Sequence, residues 1–109
     1  MNISIEKTDE EFLVVISGRV DTTNYNEFEN SIVHLYNEKD ATIYLDCSGL
    51  DYISSSGLRI FLTLQKKAKI QGGVLKIFAM QPQIKEIFDI SGFSSIFAIF
   101  PDYSAAKEA

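Results

Sequence analysis

Three consecutive hydroxyls, Ser54-Ser55-Ser56, stand before Gly57 in the stretch "YISSSGLRIF". A serine there can act as a nucleophile, cap a helix, or accept a phosphoryl group. The first role needs a base, and the chain has one histidine, His34, in the middle of another predicted element. There is no G-x-S-x-G elbow and no basis for a Ser-His-Asp arrangement. A cap is the plainer role, since the first turn of a helix carries unpaired N–H groups that a serine side chain satisfies. One serine suffices for that, and there are three. The same unpaired amides and the positive end of the helix dipole favour an anion, and Gly57 lets the backbone come close. A phosphorylated hydroxyl at this point would be held by the helix it caps. Spacing alone leaves both readings open, cap alone and seat for a phosphate.

The other chemistry-bearing residues have plain readings. Asp21 follows the second predicted strand and is expected at the same sheet end as the triplet. Read from its position alone, it is a loop acid or a cap for the first helix. Asp46 and Ser48 fit the end of a strand, hydrogen-bonding the loop before the serines. Arg59 lies on a polar arc one turn into the following helix, as a solvated or partner-facing residue. Tyr52 and Ile53 read as core or half-buried, and Leu58 as core. Cys47 sits in an apolar run as a small hydrophobe. His34 has no second His or Cys with which to share a metal and reads as a surface or edge residue. The P-loop and the dinucleotide pattern are absent, and Gly72-Gly73 are a helix stop. No metal and no cofactor are expected.

These residues need elements to place them. "NISIEK" alternates and predicts an edge strand, and "FLVVIS" is a continuous apolar run of a strand covered on both faces. Tyr25, Phe28, Ile32, Leu35 and Tyr36 recur at helical spacing, with Thr22 or Thr23 as the expected N-cap. "ATIYLDCS" predicts a buried strand, with "GLDYI" a short connection to the serines. From Ser56 to Ile70 one arc holds Gly57, Leu58, Ile60, Phe61, Leu62, Leu64 and Ala68, and the other holds Arg59, Thr63, Lys66 and Lys67. "VLKIFA" is a fourth strand. Pro82 opens a short helix with Ile84, Ile87 and Phe88 inward. "IFAIF" is a fifth strand, and "SAAKEA" is a last helical turn or a frayed tail. The order ββαβαβαβα predicts an α/β fold: a mostly parallel sheet of four to five strands, an N-terminal β-hairpin edge and right-handed crossovers.

With 109 residues, the chain fits one domain spanning 1–109. Hydrophobic content of 46% and charged content of 23% are those of a globular chain. A formal net charge of −5 argues against nucleic acid or an anionic membrane as the main partner. A lone cysteine permits no intrachain disulfide and fits a reducing compartment. "MNISIEKTDE" lacks a basic segment followed by an apolar one, and no apolar run approaches the roughly 18 residues of a membrane helix. A cytoplasmic location is expected.

The run "LDCSGLDYISSSGLRIFLTLQKKAKIQGGVLKIF" resembles the signature of the STAS domain, specifically the bacterial anti-sigma factor antagonists. "SGRVD", ending at Asp21, is similar to that family's turn after the second strand. "IFDISGFSSIFAIFPDYSAA" is similar to its closing segment, so the resemblance covers nearly all of the chain. It implies a STAS fold and a regulatory protein in place of an enzyme. In that family a serine kinase that is also the anti-sigma factor phosphorylates one serine of the turn. The unphosphorylated antagonist binds the kinase and frees a sigma factor, and a PPM-type phosphatase reverses the mark. Carried onto this sequence, the resemblance implies Ser55 as the acceptor, with Ser54 and Ser56 as alternatives. Ser54 stands where many members have Asp. Asp21, Ser54, Ser56, Gly57, Leu58 and Arg59 are the implied partner-binding residues. A STAS subunit of another regulatory or transporter-associated assembly, without a phosphorylation cycle, is the alternative within the family.

Overall fold

The computed structural model describes all 109 residues. Strands β1 (Asn2–Thr8) and β2 (Glu11–Val20) form an antiparallel hairpin. Helix α1 (Tyr25–Ile32) leads through a 3-10 turn, Val33–Asn37, to β3 (Thr42–Ile53). Then come α2 (Ser55–Ile70), β4 (Val74–Phe78), α3 (Pro82–Ser91), a 3-10 turn at Phe93–Ser95, β5 (Ala98–Phe100) and α4 (Tyr103–Glu108). The five strands lie in chain order, with every pair after the hairpin parallel. Crossovers of one hand between successive neighbours put α1, α2 and α3 on one face of the sheet.

The main core lies under those three helices. Phe28 and Ile32 of α1, Phe61 and Leu64 of α2, and Ile84 and Phe88 of α3 meet Val14, Ile16, Ile43, Leu45, Leu75 and Ile77 from the strands. The inward side chains of β2, β3 and β4 alternate with outward ones, as the pleat requires. On the other face, a small cluster joins Tyr44 and Phe78 to Ala106 and Tyr103 of α4. The Tyr103 ring stacks on Phe78 with centroids 5.0 Å apart. "SAAKEA" is therefore helical, and the Asp102 carboxylate caps α4 by accepting from the Ala105 amide at 2.8 Å.

Several boundaries differ from the sequence expectations. "GLDYI" is strand, not connection: β3 continues to Ile53. Twelve residues of β3 run beside ten of β2, and register shifts after Val15 and after Gly18 take up the difference. Gly49 permits the first bulge, because a Cβ there would lie 2.8 Å from Ser17 Cβ. Asp46 and Ser48 therefore sit within β3 and not at its end. Their local bond survives inside the bulge, where Asp46 Oδ1 accepts from the Ser48 amide at 2.9 Å. Neither Thr22 nor Thr23 caps α1. Asn24 holds that position, and its side chain instead accepts from the Asp21 amide and donates to the Arg19 carbonyl. Leu35 and Tyr36 keep their predicted burial but lie in the 3-10 turn, outside the α-helix. The fifth strand begins only at Ala98. Ile96 is exposed, and Phe97 packs edge-on against Phe88 and Phe93.

Candidate functional site

The parallel ladder between β2 and β3 ends with Val20 opposite Ile53. The next amide, that of Ser54, donates to the Val20 carbonyl at 2.8 Å. Helix α2 starts one residue later, so the serines lie at the carboxyl ends of two adjacent strands. Ligand and partner sites of α/β sheets gather at this edge.

The three hydroxyls have different surroundings. Ser54 is extended, at φ −84° and ψ 170°, and is the N-cap of α2. Its Oγ accepts from the Gly57 amide at 3.3 Å, its carbonyl accepts from Leu58, and the residue is 8% exposed. Ser55 is the first residue of the helix and is exposed, and Ser56 is half-buried. The amides of Ser55 and Ser56 have no acceptor within the protein. The triplet thus holds one buried serine that caps the helix, one exposed serine and one half-buried serine.

Gly57 brings α2 down onto the strand ends. A Cβ there would stand 2.8 Å from Ile53 Cγ1 and 2.9 Å from Val20 Cγ1. Gly57 and Leu58 are buried, so they support the site from below, while Arg59 is exposed one turn along. The outward surface at this point is Ser55, the edge of Ser56, and Arg59. Helix α2 carries four of the ten basic residues of the chain and none of its fifteen acids. On an acidic molecule it is the basic element.

Asp21 lies at the expected sheet end but contacts no serine hydroxyl. Its Oδ1 accepts from the Thr23 amide at 2.9 Å and from the Thr23 hydroxyl at 2.6 Å. Its Oδ2 lies 3.6 Å from Arg19 Nε. The Thr23 hydroxyl first, then the Thr23 amide, and then Arg19 hold its carboxyl below the usual aspartate range.

Two features were missed at the sequence level. Arg19 and Tyr52 are cross-strand partners, and the guanidinium stands 4.3 Å from the ring centroid. Tyr52, expected in the core or half-buried, is 38% exposed. The pairing rests on the two bulges, and no periodicity announces them. Gln81, the residue before Pro82, donates from Nε2 to the Ser48 carbonyl at 2.9 Å and to Asp51 Oδ1 at 3.3 Å. It covers the edge of β3 that β4, ending at Phe78, leaves open.

His34 is exposed and Cys47 is fully buried, where burial pushes the thiol far above its ordinary range. No three His, Cys, Asp or Glu side chains converge as metal ligands. No helix is long and apolar enough to cross a membrane. The two surface concavities lie away from the serines. One is lined by Tyr44 and Tyr103, and the other by Asp9, Glu10 and Asp40 at the opposite strand ends. Of the three serines, only Ser55 is exposed.

The family model for the STAS domain matches residues 2–106. A Bordetella bronchiseptica protein named as an anti-sigma factor antagonist, BtrV, is 32% identical over 109 residues, covering 100% of this chain and 94% of that protein. The anti-sigma-B factor antagonist of Bacillus subtilis is 28% identical over 108 residues, covering 99% of this chain and 94% of its own. Among solved structures, the unphosphorylated form of the anti-sigma factor antagonist SpoIIAA superposes with a TM-score of 0.81 at 17% identity, covering 98% of this chain and 94% of that one. The phosphorylated form of SpoIIAA, a Bacillus cell fate determinant, superposes at 0.74 and 17% identity, over 98% and 97% of the two chains.

Proposed function

The chain belongs to the STAS domain family, and from that premise we propose that it is an anti-sigma factor antagonist switched by phosphate on Ser55. The unphosphorylated protein binds a serine kinase that is also an anti-sigma factor, and a sigma factor is released. The kinase transfers the γ-phosphoryl group of ATP to Ser55 Oγ. A P–O bond forms to the serine, the bond to the β–γ bridging oxygen breaks, and the hydroxyl proton leaves as ADP is formed. A PPM-type phosphatase hydrolyses the mark. On this reading the chain is a substrate and a binding module, not an enzyme, and it works in the cytoplasm.

The observation that carries the reading is the division of labour among the serines. Ser54 is buried and its oxygen is engaged by Gly57, whereas Ser55 is exposed at the first position of α2. The curated relatives are named for the same role. SpoIIAA, alike in fold, has been solved in both phosphorylated and unphosphorylated forms. Phosphorylation adds about −1.5 to −2 charge at neutral pH. The first-turn amides and the helix dipole stabilise that charge without any change of fold. Desolvating an unpaired dianion at an interface costs several kcal/mol as an order of magnitude. About 1.4 kcal/mol already changes affinity tenfold. The switch therefore needs no second conformation.

The test is intact-mass analysis of the protein isolated from its own host, with peptide mapping across Ser54, Ser55 and Ser56. The expected result is one phosphate, on Ser55, lost in Ser55→Ala. Phosphate on Ser54 or Ser56, or none under any growth condition, overturns the assignment. The last outcome would favour a STAS subunit that has no phosphorylation cycle.

A further inference from the structure

Arg59 follows Ser55 by four residues on α2, and both are exposed. Residues so spaced are neighbours on a helix surface, with Cβ atoms about 5–6 Å apart, and an anion N-terminal to a cation is the favoured order. The Arg59 guanidinium forms no ion pair, side-chain hydrogen bond or ring contact with the rest of the protein. The other charged groups near the strand ends are already engaged. Arg19 is held by Asp21 and Tyr52, and Asp51 accepts from Gln81. No acid on α2 competes for Arg59.

We infer that Arg59 is the intramolecular counter-ion of phosphate on Ser55. The inference rests on the reading of Ser55 as the acceptor and adds a second element to the switch. In the unphosphorylated protein Arg59 is a free cation on the surface offered to a partner. In the phosphorylated protein the dianion draws the guanidinium onto itself through charge-assisted hydrogen bonds. Phosphorylation then both introduces negative charge and withdraws the nearest positive charge from the partner's reach.

The test does not depend on a kinase. Phosphoserine is placed at position 55 during translation, and the phosphate is titrated by phosphorus NMR in the otherwise unaltered protein, in Arg59→Gln, Arg59→Lys and Arg19→Gln. Free phosphoserine loses its second proton near pH 6. The inference predicts that Arg59→Gln moves this midpoint upward by about 0.2–0.4 of a pH unit. Arg59→Lys should restore part of the shift, and added salt should shrink it, as for any exposed pair. Lys66, about 16 Å further along the helix, serves as the distant cation, and Lys66→Gln should leave the curve in place. Superimposable curves for the unaltered protein and Arg59→Gln overturn the inference, as does a shift on Arg19→Gln in place of Arg59→Gln. Either result leaves the acceptor assignment intact. Phosphate mapped away from Ser55 in the host would remove that assignment while leaving the Ser55–Arg59 pairing as measured.

Discussion

Gly57→Ala probes the contact that seats α2 on the strand ends. The position is helical, and in an open helix alanine would add about 0.5–1 kcal/mol over glycine. Here the added Cβ would meet Ile53 Cγ1 at 2.8 Å, Val20 Cγ1 at 2.9 Å and Ile53 Cδ1 at 3.3 Å. Comfortable carbon contacts are about 3.5–4.0 Å. The first turn of α2 must therefore lift by roughly half an ångström to one ångström, or two side chains must leave their wells. Both are β-branched and stiff at χ1. Overpacking of this kind costs about 1–3 kcal/mol. It outweighs the gain in propensity and leaves a net loss of about 1–2 kcal/mol, or roughly 5–15 °C in Tm for a domain of this size. Urea and thermal unfolding followed by circular dichroism measure it. In a Val20→Ala background one of the close contacts disappears, so the cost of Gly57→Ala should fall, which a double-mutant cycle detects. If Gly57→Ala is neutral or stabilising, α2 does not rest on Val20 and Ile53, and the account of how Ser55 is placed is wrong.

Other substitutions separate the remaining elements. Ser54→Ala removes a buried cap and should cost about 1 kcal/mol in urea unfolding, whereas Ser55→Ala should stay within about 0.5 kcal/mol. Equal costs would contradict the division between them. The Cys47 thiol is enclosed and its ionisation suppressed, so iodoacetamide should leave the native protein unlabelled at about pH 8 and label it fully once unfolded. Rapid native labelling would show that β3 opens. The folded-state acidity of Asp21 is enhanced by Thr23 and Arg19, so its stabilisation is present above its unfolded pKa and is lost as pH falls through the lower folded value. The stability difference between the unaltered protein and Asp21→Asn should therefore be largest near neutrality and shrink between about pH 5 and pH 2. A difference independent of pH would assign the effect to shape instead of charge.

Much of this architecture was legible in the sequence because period and chemistry agree. The helical spacing of Phe28 and Ile32, and of Phe61, Leu64 and Ala68, meets the continuous apolar runs of β2, β3 and β4 in one core. Pro82 and the Gly72-Gly73 stop mark real ends. The errors fall where local signals compete with tertiary pairing. Gly49 reads as a strand end, yet it enables a bulge that carries β3 on to Ile53. Thr22 and Thr23 have cap chemistry, but Asp21 takes Thr23 into its own turn and Asn24 bridges back to Arg19. Gln65 sits in a polar stretch, yet it is buried and donates to the Ile96 carbonyl at 2.8 Å across 31 residues of sequence. The serine triplet announced its place at a strand–helix junction. Which serine is buried depends on α2 descending onto Val20 and Ile53, a contact between elements that no local pattern contains. The Arg19–Tyr52 pair and the cover provided by Gln81 depend on the same extended β3 and were invisible for the same reason.

The most direct measurement is calorimetric titration of the proposed partner, an anti-sigma factor that is also a serine kinase, with two forms of the protein, one with Ser55 free and one with phosphoserine at that position. Two-dimensional amide spectra of both forms should accompany it. The account predicts at least a tenfold loss of affinity, with spectral changes confined to the neighbourhood of Ser55 and Arg59. Equal affinities, or a weakened complex accompanied by changes throughout the sheet, would contradict a switch made by surface charge alone.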